Sequence, residues 1–590
     1  MNTLLLDMSI VILLATFFAY LAKLLKQPMI PAYILAGVII GPVLGLIKNH
    51  ASIAFMSEFG IALMLFIVGL EMNIERLKNV STIATLGGTT RSLIFFTAGF
   101  IIALLLGFVR LEAVYIGMFL AFSSTMVVVK LLTDKKQLDT LHGRIVVGIL
   151  LMEDILAIFV LSVLSTKYFS VMAITISLLK VGILLLLAVI GSKWVFPRIF
   201  RFAAKHIELL LLLSISTLLF FTAASMYMGE FLAYALRTVL SENILAMLRP
   251  EISIIIGAFI AGIMLGNLPY YIEIIGRVNS LKDFFATMFF VSLGLELVWL
   301  DSILIPIIIL ILTVLILKPI ATFFICGFFG YKKRPSFLSS VALAQTSEFS
   351  LIIASQGLFL GHIGQEIFSI AVLVGVCTMV ISTYYINYEN KVYERLSNKL
   401  TWFDKLSGDK DDLEYMTKTD KKVILCGHNR IGYSILKTLK GMKKKILVVD
   451  FNPETIKDLI RRKIPCFYGD VGEVETLDRL NLKEAEMVIC TIGHLENNLL
   501  IIQRAKREGS KAKLFMTATE IDEALKLYEA GADYVILPHF LGGEHASVLI
   551  NDFDQNINKM IKTKLEHIKE LKYRDAIGHH HPEHTTRHEK

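Results

Sequence analysis

Apolar runs of about twenty residues succeed one another from the first residues to about Asn387, divided by short polar joints. A helix needs about 20 mostly apolar residues to cross the hydrocarbon core of a bilayer. Thirteen segments meet that length: 4–24, 29–47, 52–72, 88–109, 112–132, 145–165, 170–195, 207–227, 252–268, 280–300, 302–327, 337–360 and 366–387. They predict an all-α polytopic membrane domain over residues 1–387. From residue 421 the period changes. Short apolar strands at 422–427, 445–450, 464–468, 487–492, 513–516 and 534–537 alternate with helical stretches. That alternation predicts a doubly wound parallel sheet, an α/β Rossmann-like domain over 421–545. Residues 388–420 read as a charged helix and linker. Residues 546–590 read as a charged helix at 559–572 with a tail containing His579, His580, His581, His584 and His588.

Composition sharpens this picture. Of 590 residues, 55% are hydrophobic and only 19% charged, whereas a soluble protein keeps roughly a quarter charged. An all-soluble globular protein is excluded. The net charge of +8 invites a nucleic-acid reading, but its placement gives an orientation instead. Alternate joints hold Lys23, Lys26, Arg76, Lys78, Lys135, Lys136, Arg144, Arg198, Arg201, Lys205, Arg277, Lys282 and Lys332 to Arg334. The others hold little beyond Lys48, Arg110, Lys167, Arg237 and Arg249. Basic joints stay cytoplasmic, so the N-terminus is expected outside and the C-terminal domain in the cytosol. No cleavable signal peptide is expected, because the first apolar run lacks a basic leader and a small-residue cleavage site. The five cysteines show no metal-like spacing and read as free thiols.

Gly69-Leu70-Glu71 and Gly294-Leu295-Glu296 occupy matching places seven spans apart. An odd offset makes the two copies run in opposite directions, and inverted repeats with broken helices are a signature of secondary transporters. Two spans after each copy comes a polar interruption: Ser123-Ser124-Thr125 in the first half, Gln345-Thr346-Ser347-Glu348 in the second. Freed backbone groups at such depth are tolerated only where they meet protein partners or line a cavity. Two interruptions at matching positions predict two crossed, unwound helices.

Glu153 and Asp154 lie in the middle of an apolar span. A charge at a helix centre costs about 3 kcal/mol on insertion scales and persists chiefly where it is paired, protonated or ligating a cation. A carboxylate in a dry site can hold a proton or a monovalent cation, and competition between the two couples their transport. Lys318, followed by Pro319, is the basic residue deep in the second half, and a Lys318–Glu153 or Lys318–Asp154 pair is expected.

With these residues in view, the chain resembles the Kef-type branch of the monovalent cation:proton antiporter-2 family. The similarity rests on Gln27 to Pro42, Gly69-Leu70-Glu71, Ser123-Ser124-Thr125, Glu153-Asp154, Phe290 to Glu296, Lys318 and Ala344 through Phe349. It implies a core domain carrying the crossed helices, moving against a dimerisation domain in a homodimer, with Asp154 in the place of the family's ion-binding aspartate. Kef-type proteins usually carry Gln before that Asp, and this chain has Glu153. K⁺, the leaning, and Na⁺ therefore both stay open as the ion exchanged for H⁺. Ser124, Thr125, Thr346, Ser347 and Glu348 complete the expected ion and proton site. An RCK-gated cation channel is the alternative, but no TVGYG-like filter is present. A membrane redox enzyme would need cofactor ligands that the sequence does not offer.

In the C-terminal domain, Gly427-His428-Asn429-Arg430-Ile431-Gly432 follows the first strand and Asp450 ends the second. In a Rossmann fingerprint such a turn cradles a phosphate on a helix N-terminus while the acid binds a ribose hydroxyl. Gly469, Asp470 and Thr491 complete the candidate nucleotide site. The segment is similar to the N-terminal half of RCK (TrkA-N) domains, which implies NAD(H) or AMP as a regulatory ligand. Asn429 replaces the middle glycine, which slightly favours the smaller nucleotide. No catalytic constellation accompanies the site, so a transporter rather than an enzyme is expected.

Overall fold

The computed structural model describes residues 2–47, 51–71, 83–135, 141–164, 171–235, 254–298, 303–397, 423–428, 431–469, 471–472 and 474–555, with isolated positions between and after them. The chain divides into two compact units, residues 1–138 with 142–408, and residues 139–141 with 409–590.

The first unit is helical. It opens with α1 (Asn2–Leu24), α2 (Met29–Val38), α3 (Ala51–Glu71), α4 (Gly88–Leu105), α5 (Arg110–Ala121), α6 (Thr125–Asp134) and α7 (Leu141–Leu164). It continues with α8 (Val171–Trp194), α9 (Phe196–Ala203), α10 (Ile207–Ala235), α11 (Ile254–Gly266) and α12 (Tyr271–Leu295). It closes with α13 (Leu304–Leu312), α14 (Lys318–Phe328), α15 (Lys333–Ala342), α16 (Glu348–Phe359) and α17 (Gln365–Leu396). Helix occupies each of the thirteen apolar runs. Eight helices among the described residues are long and apolar enough to cross a membrane. Large apolar side chains such as Leu13, Phe17, Leu105, Trp194 and Phe328 are exposed, the arrangement a hydrocarbon solvent favours.

Local irregularities have local causes. Wide π-type turns at Ile39–Val43 and Thr313–Leu317 contain or precede Pro42 and Pro319. Proline has no N–H to donate back along the helix and its ring crowds the preceding turn. Two expected boundaries move. Helix α10 continues to Ala235, past the end at 227 expected for that span. Helix α17 runs unbroken for 32 residues, so the last span and the start of the 388–420 linker are one element.

The repeat is visible in the packing. A Cβ on Gly37 of α2 would overlap the carbonyl oxygen of Val291 and approach Gly294 Cα to 2.9 Å. A Cβ on Gly262 of α11 would overlap the Phe66 carbonyl oxygen and approach Gly69 Cα to 2.9 Å. From 69 to 294 and from 37 to 262 the offset is the same 225 residues. The α2–α12 contact is thus repeated as α11–α3. The copies α3 and α12 also pack on each other, Gly60 against Phe285 and Ser57 against Ser292, which makes them antiparallel. Only glycine allows helices to approach so closely.

After α17, Phe403 is fully buried against α14. Its ring stacks on Phe323 with centroids 3.8 Å apart, and it fills the space a side chain at Gly327 would need.

The second unit is α/β. Its strands are β1 (Glu414–Tyr415), β2 (Val423–Cys426), β3 (Ile446–Asp450), β4 (Cys466–Tyr468), β5 (Met487–Cys490), β6 (Lys513–Thr517) and β7 (Tyr534–Ile536). They form one sheet in the order β1-β4-β3-β2-β5-β6-β7. All neighbours are parallel except β1 on β4. Strands β2 and β3 are buried throughout, as parallel sheets covered on both faces require. The short edge strand β1 falls inside the segment read as linker. A helix at Pro538–Gln555 runs across the expected boundary at 545. The charged helix expected at 559–572 falls almost wholly outside the described residues, and the histidine tail wholly so.

Candidate functional site

The two polar interruptions are real breaks, and they meet. Helix α5 ends at Ala121 and α6 begins at Thr125; α15 ends at Ala342 and α16 begins at Glu348. Each break leaves unpaired carbonyls at one helix end and unpaired amides at the next. The amide ends are capped by serines: Val127 N–H donates to Ser124 Oγ at 3.3 Å and Phe349 N–H to Ser347 Oγ at 3.1 Å. Across the crossing, Gln345 Nε2 donates to the Ser124 carbonyl at 3.3 Å.

Lys318 satisfies the carbonyl ends. Its Nζ donates to the Phe122 carbonyl at 2.8 Å and to the Gln345 carbonyl at 2.7 Å, one from each break. A cation is favoured at helix C-termini, where the carbonyl dipoles converge. The expected Lys318–Glu153 or Lys318–Asp154 ion pair is not found among the described residues. The backbone oxygens freed by unwinding compete for the ammonium and win.

Arg91, in α4, takes the carboxylate instead. This fully buried guanidinium pairs through Nη1 with Glu153 Oε1. It also donates to Thr322 Oγ1 at 2.9 Å and to Ser123 Oγ and the Leu343 carbonyl, both at 3.0 Å. Glu153 Oε2 accepts the Ser123 N–H at 2.8 Å. Both Glu153 oxygens therefore hold the first break together. Sequence reasoning missed Arg91. The run Thr89-Thr90-Arg91-Ser92 looks like a span end, yet the helical path begins at Ile83 and carries Arg91 inward.

Asp154, one residue on, projects about 100° away around the helix. It reaches a cavity of about 310 Å³ lined also by Glu71, Thr125, Lys130, Lys282 and Glu348. Thr125 Oγ1 lies 3.0 and 2.9 Å from the two Asp154 oxygens. Glu348 Oε1 accepts the Met126 N–H at 3.4 Å. Each water occupies about 30 Å³ in the liquid, so the space admits a cation with part of its hydration shell. Thr346 lies outside this lining, its hydroxyl 3.1 Å from Thr378 of α17, and α17 further supplies Ser382 to Gln345 at 2.6 Å.

In the C-terminal domain the first turn fits a nucleotide cradle. Gly427 has φ +87° and no room for a Cβ beside Thr491 Oγ1. A Cβ on Gly432 would overlap the Gly427 carbonyl, so the helix Ile431–Gly441 starts hard against the strand end. Asp450 accepts the N–H groups of His428 and Asn452, both at 2.8 Å. In a nucleotide cradle this carboxylate is the group that would accept a ribose hydroxyl. Thr491 Oγ1 lies 3.0 Å from the Gly427 carbonyl and ties β5 to this turn. Gly469 follows β4 beside Asp450, whose carbonyl accepts its N–H at 3.1 Å. Asn429, Arg430 and Asp470 lie outside the described residues. Burial pushes the Cys426 thiol beneath the turn well above its ordinary range.

Residues 11–240 and 233–387 match the family described as sodium/hydrogen exchanger, transmembrane, and residues 423–538 match the TrkA-N domain. The glutathione-regulated potassium-efflux system protein KefC of Escherichia coli is 26% identical over 509 residues, 85% of this chain and 77% of that protein. Among solved structures, the sodium proton antiporter MjNhaP1 of Methanocaldococcus jannaschii aligns over 67% of this chain and 98% of its own, with 16% identity and a TM-score of 0.48. The TrkA-N domain of the Escherichia coli inner membrane protein ybaL aligns over 22% of this chain and 98% of its own, with 19% identity and a TM-score of 0.22. The chain is a transporter rather than an enzyme: it belongs to the transmembrane sodium/hydrogen exchanger family, in the Kef-type arrangement that joins this membrane domain to a TrkA-N domain.

Proposed function

We propose that the protein exchanges K⁺, or Na⁺ in its place, for H⁺ across the plasma membrane, under control of a nucleotide on its TrkA-N domain. The observation that carries this reading is Asp154, buried beside Thr125 at a helix break and facing a cavity large enough for a partly hydrated cation. A carboxylate there binds either ion, and one displaces the other. Ser124, Thr125, Thr346 and Ser347 order the breaks around it; Glu153 and Lys318 hold the two breaks at fixed positions. The KefC likeness favours K⁺. The loop charges favour an N-terminus outside and a TrkA-N domain in the cytosol. On that orientation Glu71, Lys130 and Lys282, at the cavity's charged end, favour an opening toward the cytosol. Two copies associate in the membrane, as in the family the sequence resembles.

Gly427, Gly432 and Asp450 would hold NAD(H) or AMP. Bound nucleotide would shift transport by no more than its differential affinity for the active and restrained states.

The test is proton flux in everted vesicles on adding K⁺ or Na⁺, with and without NADH, NAD⁺ and AMP. Asp154→Asn should abolish the cation-driven flux, and full flux in that variant overturns the assignment. Asp450→Asn should weaken any nucleotide response, and an unchanged response in that variant removes Asp450 from the site.

A further inference from the structure

Glu153 and Asp154 are adjacent in sequence, but the buried carboxylate that shares the cavity with Asp154 is a different one. Glu153 is fully buried, and Arg91 and the Ser123 amide engage its two oxygens. It does not line the cavity. Glu348 does. It is 5% exposed, comes from the opposite repeat, and is the first residue of α16. Its Oε1 accepts the Met126 amide, while Oε2 is buried with no hydrogen-bond partner among the described residues. A buried carboxylate oxygen with no donor is costly, and a cation removes that cost. Asp154, 6% exposed, faces the same space from α7.

The charges around the cavity fit this division. Arg91 neutralises Glu153, and Lys318 answers the carbonyl dipoles of α5 and α15 rather than either cavity acid. The groups that face the space from other elements are Glu71 of α3, Lys130 of α6 and Lys282 of α12. Glu71 is exposed, and Lys282 also contacts Asp283 at 3.3 Å.

Accepting the cavity as the transport site, we infer that Glu348, and not Glu153, is the partner of Asp154: the two buried acids of the cavity bind one monovalent cation between them. Cation entry then releases the protons the two carboxyls hold, and cation exit lets them return. Glu153 is a positioning residue that fixes the first break and through it Thr125.

Thermal unfolding of the purified full-length chain in KCl or NaCl, against choline chloride at equal ionic strength, tests this. A ligand that binds only the folded state raises its melting temperature by mass action. Glu348→Gln should raise the half-maximal cation concentration by about tenfold. Glu153→Gln should lower the melting temperature in every salt without moving that concentration. An unmoved half-maximal concentration in Glu348→Gln, or one moved by Glu153→Gln alone, overturns the proposal. If Glu348→Gln does not fold, Glu348→Asp keeps the charge on a shorter arm and should raise the half-saturating cation in vesicle flux; unchanged saturation counts against it. Asp154→Asn, measured in parallel, separates this from the underlying reading. A cation response that survives there removes Asp154 from the site whatever Glu348 does.

Discussion

Arg91 and Glu153 join α4 to α7 where both are fully buried. Removing one partner of such a pair leaves an uncompensated charge and costs about 3–5 kcal/mol. Arg91→Met should therefore destabilise the chain by about that much in thermal unfolding. Adding Glu153→Met should recover a large part of it, because an apolar pair leaves no orphaned charge. Equal loss in the single and double variants would show that the pair contributes little. Residue-scale legibility was uneven for a physical reason. Asp154 and Lys318 stand out because apolar neighbours flank them for two turns or more. Arg91 sits among threonines and a serine, the composition of a helix end, and only its helical path shows its depth. The partner of Lys318 could not be read from sequence at all, since unwinding creates carbonyl acceptors that carry no letter in the sequence.

At the scale of elements, the repeat was legible in one tripeptide, Gly69-Leu70-Glu71 against Gly294-Leu295-Glu296, and its role emerges in the packing. The glycines are where α2 meets α12 and α11 meets α3. Gly262→Ala puts a methyl into the Phe66 carbonyl, and Gly37→Ala does the same at Val291. Helix backbones cannot yield as a side chain would, so each should cost about 1–3 kcal/mol by overpacking, read as a lower melting temperature. Gly182, with nothing near its Cβ position, is the control and should tolerate alanine. The strands of the second unit were found at nearly the expected positions because β2 to β6 are continuous apolar runs bounded by turns. Strand β1 is two residues long, too short for a period to register.

For the whole molecule, the proposed exchange and its proposed nucleotide control fall to different units with different physics. The membrane unit buries its few charges where helices are interrupted. The TrkA-N unit builds a glycine turn at the end of a buried strand. One helix, α17, belongs to the crossing through Thr378 and Ser382, and near its far end Glu389 pairs with Lys135 at 2.7 Å. That helix and the residues after it complete the membrane unit, which has a practical meaning for dissecting the protein. Phe403 lies beyond the last apolar run, where a cut made by hydropathy would discard it. A chain ended at Thr401 would leave the Phe323–Gly327 socket empty; one ended at Gly408 would keep it filled. Losing a buried phenylalanine costs about 3–5 kcal/mol. The shorter truncation should therefore melt at clearly lower temperature than the longer one, although the two differ by seven residues that carry no transport chemistry.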